Sequence, residues 1–112
     1  MQYALLIYSD PSYLAEQSPQ QLDAIRAEYA VLLGDPRLVT SSQLQSSDTA
    51  TSVRTSGGRT LLTDGPFADT KEVLGGICII EAPNLDEAID LARRLPAVEQ
   101  GGVVEIRPVV ER

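Results

Sequence analysis

The chain has 112 residues, 43% of them hydrophobic, which is enough for one core and one domain over 1–112 and too few for a second. Nine basic against sixteen acidic side chains give a net charge of −7, a field that repels phosphate backbones and argues against nucleic acid as a partner. There is no histidine, and Cys78 is the single cysteine, so Ser-His-Asp and Cys-His catalysis, histidine-ligated zinc and internal disulfides are excluded.

The elements follow in chain order. "YALLIY" at 3–8 is a short apolar run bounded by turn residues and predicts a buried strand. The start "MQYALLIYSD" lacks the basic head and long apolar core of a signal peptide. No apolar run approaches the roughly 20 residues that span a bilayer, so the expectation is a soluble, cytoplasmic protein without a membrane partner. "SPQQLDAIRAEYAVLLGDP" carries helix punctuation: Ser18 as N-cap, Pro19 at the first helical position, Gln21 closing a capping box, Gly34 and Pro36 as stops. Leu22, Ile25, Tyr29, Leu32 and Leu33 form one apolar stripe on it.

"RLVTSSQLQ" (37–45) has mixed β character, and "TSVRTSGGRTLLT" (51–63) predicts a hairpin turning at Gly57-Gly58. "GGICIIEA" is a second buried strand ending before Pro83. "NLDEAIDLARRLP" is a second helix with Asn84 as N-cap and Pro96 as terminator. In "VVEIRPVV" Val104, Ile106 and Val110 alternate with Glu105 and Arg107, and Pro108 marks an edge or a strand end.

With the hairpin set aside, the order strand, helix, strand, strand, helix, strand predicts an α+β, ferredoxin-like βαββαβ fold with an inserted β-hairpin. Right-handed crossovers put both helices on one face of the sheet. "ALLI" and "ICII" are apolar at consecutive positions, so both faces of their strands are apolar. A face that large left in water is unusual for a monomer, and the expectation is a homodimer whose sheets close face to face into a dimeric α+β barrel.

The densest chemistry lies in "LLTDGPFADTKEVLGG", residues 61–76. It holds Asp64, Asp69, Glu72, Lys71 and the single phenylalanine, Phe67. Two readings stay open. In one, Gly65-Pro66 sets a tight turn, Asp64 accepts local backbone N–H bonds, Phe67 enters the core, and Asp69, Lys71 and Glu72 are a solvated loop. In the other, the turn holds a carboxylate at a cavity rim. Without histidine, proton transfer then falls to a carboxylate or a lysine, and Asp64 and Lys71 are the catalytic candidates. Tyr8, Arg54, Phe67 and Glu72 are the corresponding ligand-binding candidates, Tyr8 because it ends the first strand.

The acids lack the alternation and glycine of an EF-hand loop, and no phosphate-loop pattern occurs, so neither a metal nor a cofactor is implied. Cys78, among isoleucines with no basic neighbour, reads as a small hydrophobe.

"YALLIY", "VRTSGGRTLLTDGPFADTKEVLGG" and "GGVVEIRPV" together resemble the YCII-related proteins, in the branch with an Asp-Gly-Pro-Phe signature. The match spans nearly the whole chain, with Asp64, Gly65, Pro66, Phe67, Thr70, Lys71, Glu72, Gly75 and Gly76 at the signature positions. The resemblance implies a dimeric α+β barrel of ferredoxin-like halves. Related proteins have been assigned a His and Asp pair in a cleft, which a chain without histidine cannot supply. Relatives of similar fold include dehydrochlorinases and lactone isomerases, and members of the branch are often encoded near extracytoplasmic-function sigma factors.

Two functions follow as expectations. The first is a small acidic homodimer that binds a small polar metabolite in a cleft near Asp64, with lyase or isomerase chemistry. The alternative is a non-enzymatic regulatory module whose acidic surface meets a protein partner such as a sigma factor.

Overall fold

A computed structural model describes residues 1–112. Four strands, β1 (Gln2–Ser9), β2 (Leu38–Gln43), β5 (Val73–Glu81) and β6 (Val103–Pro108), form one antiparallel sheet in the order β2-β5-β1-β6. Two more, β3 (Thr51–Ser56) and β4 (Arg59–Asp64), pair only with each other. The helices are α1 (Pro11–Ala15), α2 (Pro19–Leu33), α3 (Leu85–Ala92) and α4 (Pro96–Glu99), with one 3₁₀ turn at Ser47–Thr49. The fold is thus α+β, and its sheet order is compatible with the ferredoxin-like arrangement expected from the sequence.

The register explains how the apolar runs divide. Leu5 faces Cys78 across the β1–β5 pair, and Leu6 faces Ile77. Tyr3, Leu5, Ile7, Cys78 and Ile80 point to the helices and join Ala88, Leu91, Ala92, Leu95 and Ala97 in the core. Leu5 and Ile80 are fully buried, so truncating either to alanine should cost about 2–5 kcal/mol. Ala4, Leu6, Ile77 and Ile79 face the other way and are only half-buried. No helix lies over them.

The caps hold as the sequence suggests. Ser18 accepts the Gln21 N–H (3.2 Å) while Gln21 Oε1 accepts the Ser18 N–H (2.7 Å), and Asn84 Oδ1 accepts the Glu87 N–H (3.0 Å). The apolar stripe of α2 turns inward, with Leu22, Ile25, Tyr29 and Leu32 half-buried, yet none of the helix's 15 residues is fully buried. The helix stands off the sheet.

The structure also departs from the expectation at several places. Asp10-Pro11 opens a helix, α1, rather than a turn: Asp10 is its N-cap and Pro11 supplies a preset φ at the first position. Pro96 does not merely terminate α3, which already ends at Ala92; it begins α4 for the same reason. Val110 does not continue the inner face of β6, because the strand stops at Pro108 and Val110 is exposed. Phe67 does not enter the core; it is 79% exposed. No helix is long and apolar enough to cross a membrane.

The hairpin turns through Gly57 (φ 57°) and Gly58 (φ 75°), the two positive φ values that a type I′ turn requires. Its residues are exposed on nearly every position. The radius of gyration is 15.8 Å, against about 13 Å for a compact chain of this length, and the molecule is flat, with extents of 45 × 44 × 18 Å.

Candidate functional site

The gap beneath α2 is a cavity of about 420 Å³, within the range of about 300–1,000 Å³ typical of small-molecule sites. Its floor is the sheet at Ile7, Gly75, Gly76 and Cys78; its roof is α2 through Leu22, Ile25, Tyr29 and Leu33. Ser9, Ser41, Ser42, Gln43 and Gln100 bring hydrogen-bonding groups to its wall.

Two sequence features make the room. A β-bulge between Ile7 and Tyr8 leaves Gly75 without a partner in the β1–β5 register, and bulges of this kind re-aim side chains beside functional sites. Gly76 is buried on the helix-facing side, where any larger side chain would project into the cavity. A smaller gap of about 20 Å³ under Leu32, Leu38 and Leu91 is lined almost wholly by hydrophobic side chains and is a packing defect.

The cavity's electrostatics are simple. Arg26 is the one charged residue among its lining residues, and its guanidinium is already paired with Asp23 at 3.1 Å on the exposed side of α2. No carboxylate lines it. Burial pushes both the Tyr29 phenol and the Cys78 thiol above their ordinary values, so both are neutral near pH 7. The cavity therefore has hydrogen-bond donors and acceptors but no proton acceptor in its wall.

At the end of β1, Asp10 is held in place beside this region. Its Oδ1 accepts the Ser12 N–H (3.0 Å) and the Ser12 hydroxyl (2.7 Å), and Lys71 Nζ lies 3.7 Å from Oδ2. The Asp10 side chain is only 11% exposed. The Ser12 hydroxyl above all, the Ser12 N–H and then Lys71 hold the carboxyl below its usual range, against the opposing effect of burial. Asp10 is therefore ionised under all ordinary conditions.

Of the catalytic and ligand-binding candidates read from the sequence, none lines the cavity, although Gly75, Gly76 and Cys78 do. Asp64 ends β4 and is exposed. Lys71 pairs with Asp10 rather than with Asp64. Arg54 places its guanidinium 5.2 Å from the Phe67 ring centroid, an exposed cation–π pair. Tyr8 is half-buried on β1 opposite Leu74 and Val103. Glu72 is half-buried, and its backbone carbonyl accepts the Thr70 hydroxyl. Asp64, Asp69 and Glu72 do not converge into a group that could hold a metal. The turn itself uses Gly65 at φ 99°, and its ends are tied by Gly65 N–H to Ala50 O (2.7 Å) and by Ser52 Oγ to Gly65 O (2.8 Å).

The cavity residues come from β1, α1, α2, β2, β5 and the segment after α4, so no compact motif announces them. The available signal was the pair Gly75-Gly76 inside a strand otherwise rich in large aliphatic residues, where a glycine marks a bulge or a close approach.

The sheet order defines a small α+β domain compatible with a ferredoxin-like fold. The YCII-related domain matches residues 1–112, and the chain belongs to that family. It is 38% identical over 117 aligned positions to an uncharacterized protein of Rhizobium meliloti (strain 1021), covering 97% of this chain and 92% of that protein.

Proposed function

We propose that the protein binds a small, largely apolar metabolite with a few hydrogen-bonding groups in the cavity beneath α2, and that it does so as a homodimer. The cavity carries this reading: it has suitable volume, apolar walls, a fringe of Ser and Gln groups and no buried charge to neutralise. Homodimerisation is supported by the half-buried apolar face of Ala4, Leu6, Ile77 and Ile79, which a second sheet would cover to give an α+β barrel.

Binding without proton transfer in the cavity suits the neutral Tyr29 and Cys78. A second reading keeps lyase or isomerase chemistry with Asp64 and Lys71, as the Asp-Gly-Pro-Phe branch resemblance suggests. Its one point of support is that Lys71, though paired with Asp10 and not with Asp64, stands by the end of β1, whose last residue Ser9 lines the cavity. The regulatory alternative draws only on the acidic surface.

A thermal-shift screen of uncharged and weakly acidic aromatic and lactone metabolites tests the first reading, with Ala30→Trp as the blocked control. Ala30 is an exposed lining residue, so tryptophan there should fill the mouth and leave folding intact. Hits that vanish in Ala30→Trp support the cavity; hits that persist in it, or a screen without hits, count against it. Asp64→Asn and Lys71→Ala decide the second reading: turnover of a bound compound must fall in both.

A further inference from the structure

The β3–β4 hairpin is the largest feature that cavity binding does not use. Its cross-strand pairs assign its two faces. Val53 lies opposite Leu62, and Thr55 opposite Thr60, so one face is a run of aliphatic and β-branched side chains. The other face carries Arg54, Arg59 and Leu61.

In the single chain neither face is covered: Val53 is 68% and Leu62 69% exposed. Both outer edges of the ribbon are also unpaired. A two-stranded ribbon is at best marginally stable in water by itself, and an open apolar edge invites pairing with another chain. Yet this ribbon is specified closely, by two glycines with positive φ at its tip and two backbone-directed hydrogen bonds at its base. A loop without a docking surface needs no such specification.

Charge identifies the occupant. The ribbon, residues 51–64, contains two arginines and one acid, Asp64 at its base, whereas the rest of the chain holds seven basic and fifteen acidic side chains. The ribbon is a locally basic arm on a strongly acidic body, and every copy presents both surfaces. It is complementary in charge to another copy of the same chain.

We propose that the β3–β4 ribbon is an arm that reaches from one protomer onto a second copy of this chain, laying its Val53 and Leu62 face against that copy while Arg54 and Arg59, on the opposite face, lie in the field of its acids. This rests on the homodimer proposed above and adds the element that locks it. Sedimentation velocity on the full chain tests it with Val53→Ser/Leu62→Ser and Arg54→Glu/Arg59→Glu, four exposed positions, with circular dichroism checking that each variant is folded, since Arg54→Glu also removes the contact with Phe67. Each double variant should weaken dimerisation at least about tenfold, and salt should weaken the wild type and Val53→Ser/Leu62→Ser but not Arg54→Glu/Arg59→Glu. Hydrogen exchange of the ribbon amides in the wild type should slow as protein concentration rises. A wild type that stays monomeric overturns the homodimer and the arm together. A dimer that both variants leave unchanged, or ribbon protection independent of concentration, overturns the arm alone.

Discussion

Arg37 grips Asp35 from two residues away: its Nε donates to Oδ1 at 3.0 Å, its second guanidinium nitrogen to Oδ2 at 2.9 Å, and its own backbone N–H to Oδ1 at 2.8 Å. The same guanidinium reaches Glu87 and Asp90 of α3 at 3.6 and 3.8 Å, and Arg94 closes the cluster on Asp35 at 3.7 Å. The connection from α2 to β2 is thereby fastened to α3. The side-chain bond from Arg37, then its backbone N–H, holds the Asp35 carboxyl down from 3.8 to about 2.

A carboxyl whose folded value is depressed stabilises the fold above its unfolded value and loses that contribution as pH falls through the folded one. The window here runs from 3.8 down to about 2. Asp35 is 13% exposed, and with solvent screening allowed for, the contribution is about 1–2 kcal/mol. Urea unfolding of wild type and Asp35→Asn should differ by that amount at neutral pH, and the two curves should converge across this window.

Gly102 should tolerate no side chain. A Cβ built there would lie 2.3 Å from the Tyr8 carbonyl oxygen and 2.9 Å from that of Ala97, and neither backbone atom can swing aside. Gly102→Ala should lower the unfolding free energy by about 1–3 kcal/mol, read by chemical denaturation. An unchanged midpoint would show that β1 and α4 can separate there without loss.

Ser18→Ala should cost about 1 kcal/mol. Because α2 has no fully buried residue, the loss should be concentrated in α2 itself. Hydrogen exchange should quicken over Pro19–Leu33 and remain unchanged in β1 and β5.

Cys78 offers a built-in reporter of cavity occupancy. It lines the cavity and burial raises its thiol above the usual range, so at neutral pH little thiolate is available. Reaction with an aromatic disulfide reagent should be slow, should accelerate with rising pH, and should slow further on adding any compound that enters the cavity. A bound compound that leaves the rate untouched must sit elsewhere.

Elements marked by local chemistry were legible from the sequence. Ser18, Pro19 and Gln21 announce α2, Gly57-Gly58 announces the hairpin, and the two aliphatic runs announce the central strands. The short helices α1 and α4 were obscured because Pro11 and Pro96 serve equally as turn residues and as first helical residues. The candidate site was the least legible part. "DGPFADTK" concentrates acids, a lysine and an aromatic ring within a few positions, but the structure spends these on a turn, an exposed cation–π pair and a lysine pair to Asp10. The cavity is assembled from Ser9, Tyr29, Ser41, Gly76, Cys78 and Gln100, whose proximity depends on sheet order and on the distance at which α2 rides over the strands.

That distance has a mechanical meaning. The floor of the cavity is made of the two best-paired strands and the roof is a helix held by its caps and a half-buried stripe, so the two walls differ in compliance. Opening the roof disrupts few buried contacts, while distorting the floor disrupts the core. Local opening of α2 therefore draws on less than the global stability, and Ser18 and Gly34 cap the two ends of that one helix.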